Sequence, residues 1–217
     1  MAEYVLTATK TEARAGSFYD RIVRIYDLTF KINGYGRSLD QYFDEHPLPV
    51  FPGARVLDAG CGTGTLTLAL LRKLRVPVKL TALDLSASSM ATAKKYVSKS
   101  RHREQKVQFT QGNILSLPFA DESFDLIVTS GVLEYVPLDE GFGELARVIA
   151  RGGHLLHLPM RPSPVTTCLE VLFRFKAHSP REVAETSAEH FQVVSNYRFP
   201  PLHVIAWSRS AVLAQKI

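Results

Sequence analysis

The chain has 217 residues, enough for one α/β domain with a small appendage and a core burying about two thirds of the unfolded surface. Hydrophobic residues make up 46% and charged residues 22%, an ordinary globular composition, and Lys plus Arg exceed Asp plus Glu by 26 − 21 = 5. That excess suits an anionic ligand or surface but is too small to argue for nucleic acid, and no apolar run approaches the roughly 18 residues of a membrane span.

Residues 1–16 read as a polar tail without the apolar centre of a secretory signal. The two cysteines, Cys61 and Cys168, lie far apart, which points to reduced thiols and a cytoplasmic location. From Ser17, Phe18, Ile22, Ile25, Tyr26 and Thr29 recur at spacings of three and four, a helical pattern. Gly34 and Gly36 interrupt it, Leu39–Phe43 offers a second short helix, and prolines at 47, 49 and 52 close the region. Residues 1–50 therefore read as a tail with cap helices, ahead of a core over 51–217.

Within the core, strands and helices alternate. Strands are expected at 55–57, 79–83, 107–110, 124–129 and 153–158, and helices at 66–74, 88–98 and 138–148. An apolar helix candidate follows at 166–175, and Ser179–Pro180–Arg181–Glu182 has the chemistry of a helix start. The end reads as two strands, 191–198 and 204–214, with Pro200–Pro201 between them. Such alternation predicts an α/β, doubly wound, mostly parallel sheet, and two strands in succession predict an antiparallel hairpin at its edge.

The stretch VLDAGCGTGT, residues 56–65, follows the first core strand and precedes the first core helix, where a ligand crosses the strand ends. Thr65 breaks the dinucleotide pattern, which needs Gly or Ala at that position, and no Walker lysine is present. Asp58 would repel a pyrophosphate but can orient a cationic ligand, directly or through water; the plainer reading is a cap on the loop or on the next helix's amides. Asp84 ends the second strand 20 residues beyond Gly64, a placement suited to two ribose hydroxyls. A phosphate-free nucleoside with a positive centre fits these residues better than a nicotinamide dinucleotide.

Taken with LTALDLS and QGNILSLPFADESFDLIVTSGVLEYV, the loop resembles that of class I S-adenosylmethionine-dependent methyltransferases, from about Ser17 through Pro159. The resemblance implies a Rossmann-like, seven-stranded sheet with a reversed final hairpin, and S-adenosyl-L-methionine as cofactor. It assigns Asp58, Gly60, Gly62 and Gly64 to the methionine portion, Asp84 to the ribose, and Leu85 and Ile114 to the two faces of the adenine. Asn113 stands where the family usually has an acid, and its amide can still accept from the adenine amino group. Cys61 reads as a small buried filler, and no His/Cys spacing suggests a metal.

Methyl transfer from a sulfonium needs an oriented acceptor, exclusion of water and, for some acceptors, a base. Ser130 after the fourth strand, Glu134 and His157 are nominated by position, His157 and Glu134 as candidate bases, Ser130 beside the cofactor; Tyr19 and Tyr26 on the N-terminal helix would close over it. For His157 the competing reading is a core histidine, and for the tyrosines ordinary amphipathic packing. FYDRIVRIYDLTF resembles the entry helix of ubiquinone and menaquinone C-methyltransferases and a stretch of bacterial phosphatidylethanolamine N-methyltransferases. These resemblances imply a small-molecule acceptor, a quinol or phenol in one reading and a phospholipid or amine in the other, with peripheral membrane contact through that helix. A third reading is a cofactor-binding protein without turnover. Nucleic acid is not an expected partner, and the oligomeric state is left open.

Overall fold

A computed structural model describes residues 34–102, 106–163, 175–200 and 208–217, with 166, 167, 170 and 171. The entry-helix pattern, Tyr19, Tyr26 and half of the 166–175 segment lie outside the described residues. In chain order the elements are α1 (Tyr35–Glu45), β1 (Arg55–Ala59), α2 (Thr65–Lys73), β2 (Lys79–Asp84), α3 (Ala87–Lys99) and β3 (Val107–Gln111). There follow β4 (Phe124–Ser130), a 3-10 turn (Leu133–Tyr135), α4 (Leu138–Val148), β5 (Ile149–Leu158), α5 (Pro180–Ser187), β6 (Phe191–Arg198) and β7 (Ser210–Lys216).

The strands form one seven-stranded sheet in the order β3-β2-β1-β4-β5-β7-β6. β1 to β5 pair in parallel, whereas β7 runs antiparallel to both β5 and β6. This is the expected α/β, doubly wound arrangement with a reversed C-terminal hairpin. The last strand begins at Ser210 rather than 204, and residues 201–207 lie outside the described set.

The central strands are covered on both faces, and their alternation divides the interior in two. Val56, Leu126, Val128 and Leu156 point toward α1 and α2, where Tyr35, Leu39, Tyr42, Leu66 and Leu70 meet them. Leu57, Ile127 and Leu155 point the other way, onto Phe142, Leu145 and Val183 of α4 and α5.

Local chemistry sets the helix starts. Ser86 accepts from the Ser89 amide at 3.2 Å to open α3, and Ser179 accepts from the Glu182 amide at 3.1 Å to open α5, with Pro180 in its first turn. Gly36, expected to interrupt the chain, lies inside α1. Tertiary packing overrides its poor propensity: Tyr35, Ser38, Leu39, Tyr42 and Phe43 form a buried stripe, and Asp40 and Asp44 pair with Arg72 and Lys73 of α2.

Candidate active site

A cavity of about 410 Å³ opens at the carboxyl ends of β2, β1 and β4, where the strand order reverses between β1 and its two neighbours. Gly60, Gly62 and Gly64 all have positive φ. At Gly60 (φ +79°) a Cβ would stand 2.7 Å from the Val132 Cβ, so only glycine lets the loop pass this close to the β4 loop. The amides of Gly60 and Cys61 both donate to the Leu83 carbonyl at 2.8 Å, and the Gly62 amide donates to Asp84 Oδ2 at 2.7 Å. The glycine loop is thereby bound to the end of β2.

Asp84 borders the cavity, and its Oδ1 accepts from the Ser86 amide at 2.8 Å. Burial raises its pKa, opposed by the amides of Ser86, Gly62 and Leu85. Leu85, 55% exposed, and Ile114, buried, give the same cavity two apolar surfaces. Asn113 lies beside them with its Oδ1 already accepting from the Leu115 amide at 3.0 Å, so one lone pair of the oxygen expected to face a base is committed to a local turn. Ser130 and Gly131 form the far wall.

Four residues nominated from sequence do not border this cavity. Asp58 is fully buried under the loop, on the α2 side of β1, where the Thr67 hydroxyl donates to its Oδ2. Its Oδ1 has no hydrogen-bond partner among the described residues. Burial pushes its pKa up to about 7, the Thr67 hydrogen bond opposing and the charge of Asp84 adding. Gly64 serves the entry to α2, its amide donating to the Cys61 carbonyl at 2.9 Å.

His157 is the clearest correction. Strand alternation turns it to the sheet face opposite Ser130, against the edge of the Phe142 ring at 5.5 Å between centroids. Neither ring nitrogen has a hydrogen-bond partner among the described residues, and burial, aided by the charges of Arg209 and His178, pushes its pKa down to about 3. Such an imidazole is a neutral, weakly basic packing group. Glu134 is likewise buried away from the cavity; its Oε1 accepts from the Met160 amide at 2.6 Å and its carbonyl accepts from the Lys176 amide at 2.9 Å. It clips the 3-10 turn to the chain after β5. Burial raises its pKa, opposed first by the Arg209 charge.

Among the cavity residues that went unpredicted, two carry polar groups that meet at Ser130. Tyr35, the first residue of α1, places its hydroxyl 2.8 Å from Ser130 Oγ. Arg209, just ahead of β7, donates through Nη1 to the same Oγ and to the Leu158 carbonyl, both at 3.0 Å. Cys61 is buried with its thiol pKa raised by that burial, consistent with a filler.

The family profile for a methyltransferase domain matches residues 56–153, from the second residue of β1 to the middle of β5. The chain is 30% identical over 155 residues to the demethylmenaquinone methyltransferase of Thermus thermophilus, covering 67% of this chain and 66% of that protein. The chain belongs to the class I S-adenosylmethionine-dependent methyltransferases. It is also 28% identical over 219 residues to the demethylmenaquinone methyltransferase of a Mycobacterium species, covering 97% of this chain and 86% of that one. A solved geranyl diphosphate methyltransferase in complex with SAM shares the fold at TM-score 0.68 and 20% identity, covering 85% of this chain and 91% of that one.

The cofactor of this methyltransferase is S-adenosylmethionine. Its chemistry suits the cavity: a carboxylate at the end of β2, apolar surfaces beside it, and a loop that presents bare backbone at Gly60 and Gly62. Among the described residues no helix is long and apolar enough to cross a membrane, and no group of three His, Cys, Asp or Glu side chains could hold a metal ion.

Proposed function

We propose that this methyltransferase acts on a small, largely apolar acceptor of the quinol or phenol kind. The supporting observation is the continuity of the cavity: beyond Asp84 and the glycine loop it is bounded by Leu66, Val132, Tyr135 and Val136. The same direction is suggested by the quinone-modifying activities named for the relatives in Thermus and Mycobacterium.

In this reading Asp84 accepts from the ribose hydroxyls, Leu85 and Ile114 enclose the adenine, and Asn113 contacts its edge. The backbone of Gly60 to Gly62 follows the methionine portion, with Ser130 beside it. Bound S-adenosylmethionine supplies a methyl group on a sulfonium, open to in-line displacement. The chain's own contribution is orientation and exclusion of water by the apolar walls, which convert an encounter into a near-attack pair. Neither His157 nor Glu134 faces the cavity, so no proton is assigned to either.

An amine acceptor is less well served. Tyr35, one of two tyrosines bordering the cavity with Tyr135, is already covered by the Arg209 guanidinium at 5.0 Å from its centroid, and a second cation there would be repelled. The peripheral membrane contact expected of the N-terminal helix rests on residues outside those described.

The test is transfer of labelled methyl from S-adenosylmethionine to a panel of quinols, phenols, amines and phosphatidylethanolamine vesicles. Label in the quinol or phenol arm alone supports the reading. Label only in amines or vesicles overturns it.

A further inference from the structure

Among the described residues Arg209 is the largest side chain buried below 2% exposure, yet its guanidinium lies at the wall of the cavity. Burying a cation is costly unless it is paired and hydrogen-bonded, and the Arg209 charge acts on the buried Glu134 as well as facing the cavity. The surroundings hold it in one orientation. Nη1 donates to Ser130 Oγ and to the Leu158 carbonyl, the Tyr35 ring lies below at 5.0 Å, and the Tyr35 hydroxyl joins the same Ser130 Oγ. Gly131 (φ +73°) completes the arrangement, since a Cβ there would stand 3.1 Å from Nη2 and wall the guanidinium off. The Met160–Arg209 bridge fixes its backbone beside the residue that Glu134 holds.

The group stands over the end of β4, two strands along the sheet from Asp84, or about 10 Å at about 4.8 Å per strand. The cavity is thus acidic at one end and cationic at the other. Resting on the cavity being the site of methyl transfer, we propose that Arg209, with the hydroxyls of Tyr35 and Ser130, forms a subsite for an anionic oxygen. Guanidinium and hydroxyl donors in a water-poor wall bind a carboxylate or an ionised ring oxygen far better than a neutral group. Two sources carry that chemistry: the α-carboxylate of the cofactor, or the ionised hydroxyl of an acceptor. In the second case the acceptor arrives already deprotonated, which removes the need for a base at His157 or Glu134.

The experiment compares the wild-type chain with R209Q and R209K, each first shown to unfold cooperatively. Calorimetry measures S-adenosylhomocysteine, which keeps the carboxylate, and 5′-methylthioadenosine, which lacks the amino-acid end. With S-adenosylhomocysteine present, the binding of 2-hydroxy-1,4-naphthoquinone, an anion at neutral pH, is compared with that of 1,4-naphthoquinone. A cofactor source predicts that R209Q weakens S-adenosylhomocysteine tenfold or more and leaves methylthioadenosine unchanged. An acceptor source predicts unchanged cofactor binding and a tenfold or greater loss for the hydroxylated quinone alone. R209K recovers part of either loss. Equal weakening of both nucleosides marks a structural residue and overturns the subsite, as does no change in any ligand. If the wild-type chain binds neither nucleoside, it is the reading of the cavity that has failed.

Discussion

The Gly62 amide donates to Asp84 Oδ2 at 2.7 Å, joining the glycine loop to the acid at the end of β2 across 22 residues of sequence. The residue proposed to meet the ribose therefore also sets the shape of the loop proposed to follow the methionine portion. In Asp84→Ala both the Gly62 and Ser86 amides lose their acceptor. Water reaches this end of the cavity and replaces part of the loss, so the stability change is expected to be about 1–2 kcal/mol in urea unfolding. A loss of several kcal/mol would mean that Asp84 is chiefly a structural residue.

Gly60→Ala should damage the site more than its size suggests. The new methyl meets Val132 Cβ at 2.7 Å in a backbone conformation that L side chains rarely adopt. A destabilisation of about 1–3 kcal/mol is expected. Shortening the opposing side chain in Gly60→Ala/Val132→Ala should relieve the clash but not the φ strain, so the double variant recovers only part. Full recovery would show that contact alone demands the glycine.

Asp58 titrates in the folded chain at about 7, well above an unfolded carboxyl near 3.9. Between those values the folded state holds the extra proton, so stability falls as pH rises from about 4 to about 7 and then levels. Asp58→Asn lacks this titration. The wild-type chain should lose about 2–4 kcal/mol relative to the variant between pH 4.5 and pH 8, measured by urea unfolding without cofactor. A difference that is flat across this range would place the carboxylate in a solvated or paired state instead.

For His157 the sign is reversed in mechanism. Its folded pKa of about 3 lies below the unfolded value near 6.5, so the unfolded chain binds the extra proton and stability falls as pH drops from about 6.5 toward 3. His157→Leu should remove that part of the acid sensitivity while leaving methyl transfer at pH 8 within about threefold. A general base lost from the reaction would cost about a hundredfold or more, and that result would return His157 to the mechanism.

The local features were legible in sequence because their signals are local. The strand-loop-helix around VLDAGCGTGT, the acid at 84, the Ser179 cap and the succession of β6 and β7 each rest on residues a few positions apart, and the structure places them as expected. Asp58 was legible as a motif residue but not as a buried one, since the Thr67 hydroxyl that receives it sits one helical turn into α2. His157 was misjudged because being near the end of β5 does not say which face it takes; only the register with Thr129 and the packing on Phe142 decide that. Tyr35 and Arg209 carried no signal at all. They meet at Ser130 from positions 95 and 79 residues away, and Arg209 reads in WSRSAVL as an ordinary residue beside a strand.

The most direct measurement is calorimetric titration of the purified chain with S-adenosylhomocysteine, with Asp84→Ala and NADH in parallel. The account predicts one site per chain for S-adenosylhomocysteine, weakened tenfold or more in Asp84→Ala, and no heat from NADH. Undiminished binding in the variant would contradict the placement of the cofactor along Asp84 and the glycine loop, and binding of NADH in its place would contradict the cofactor itself.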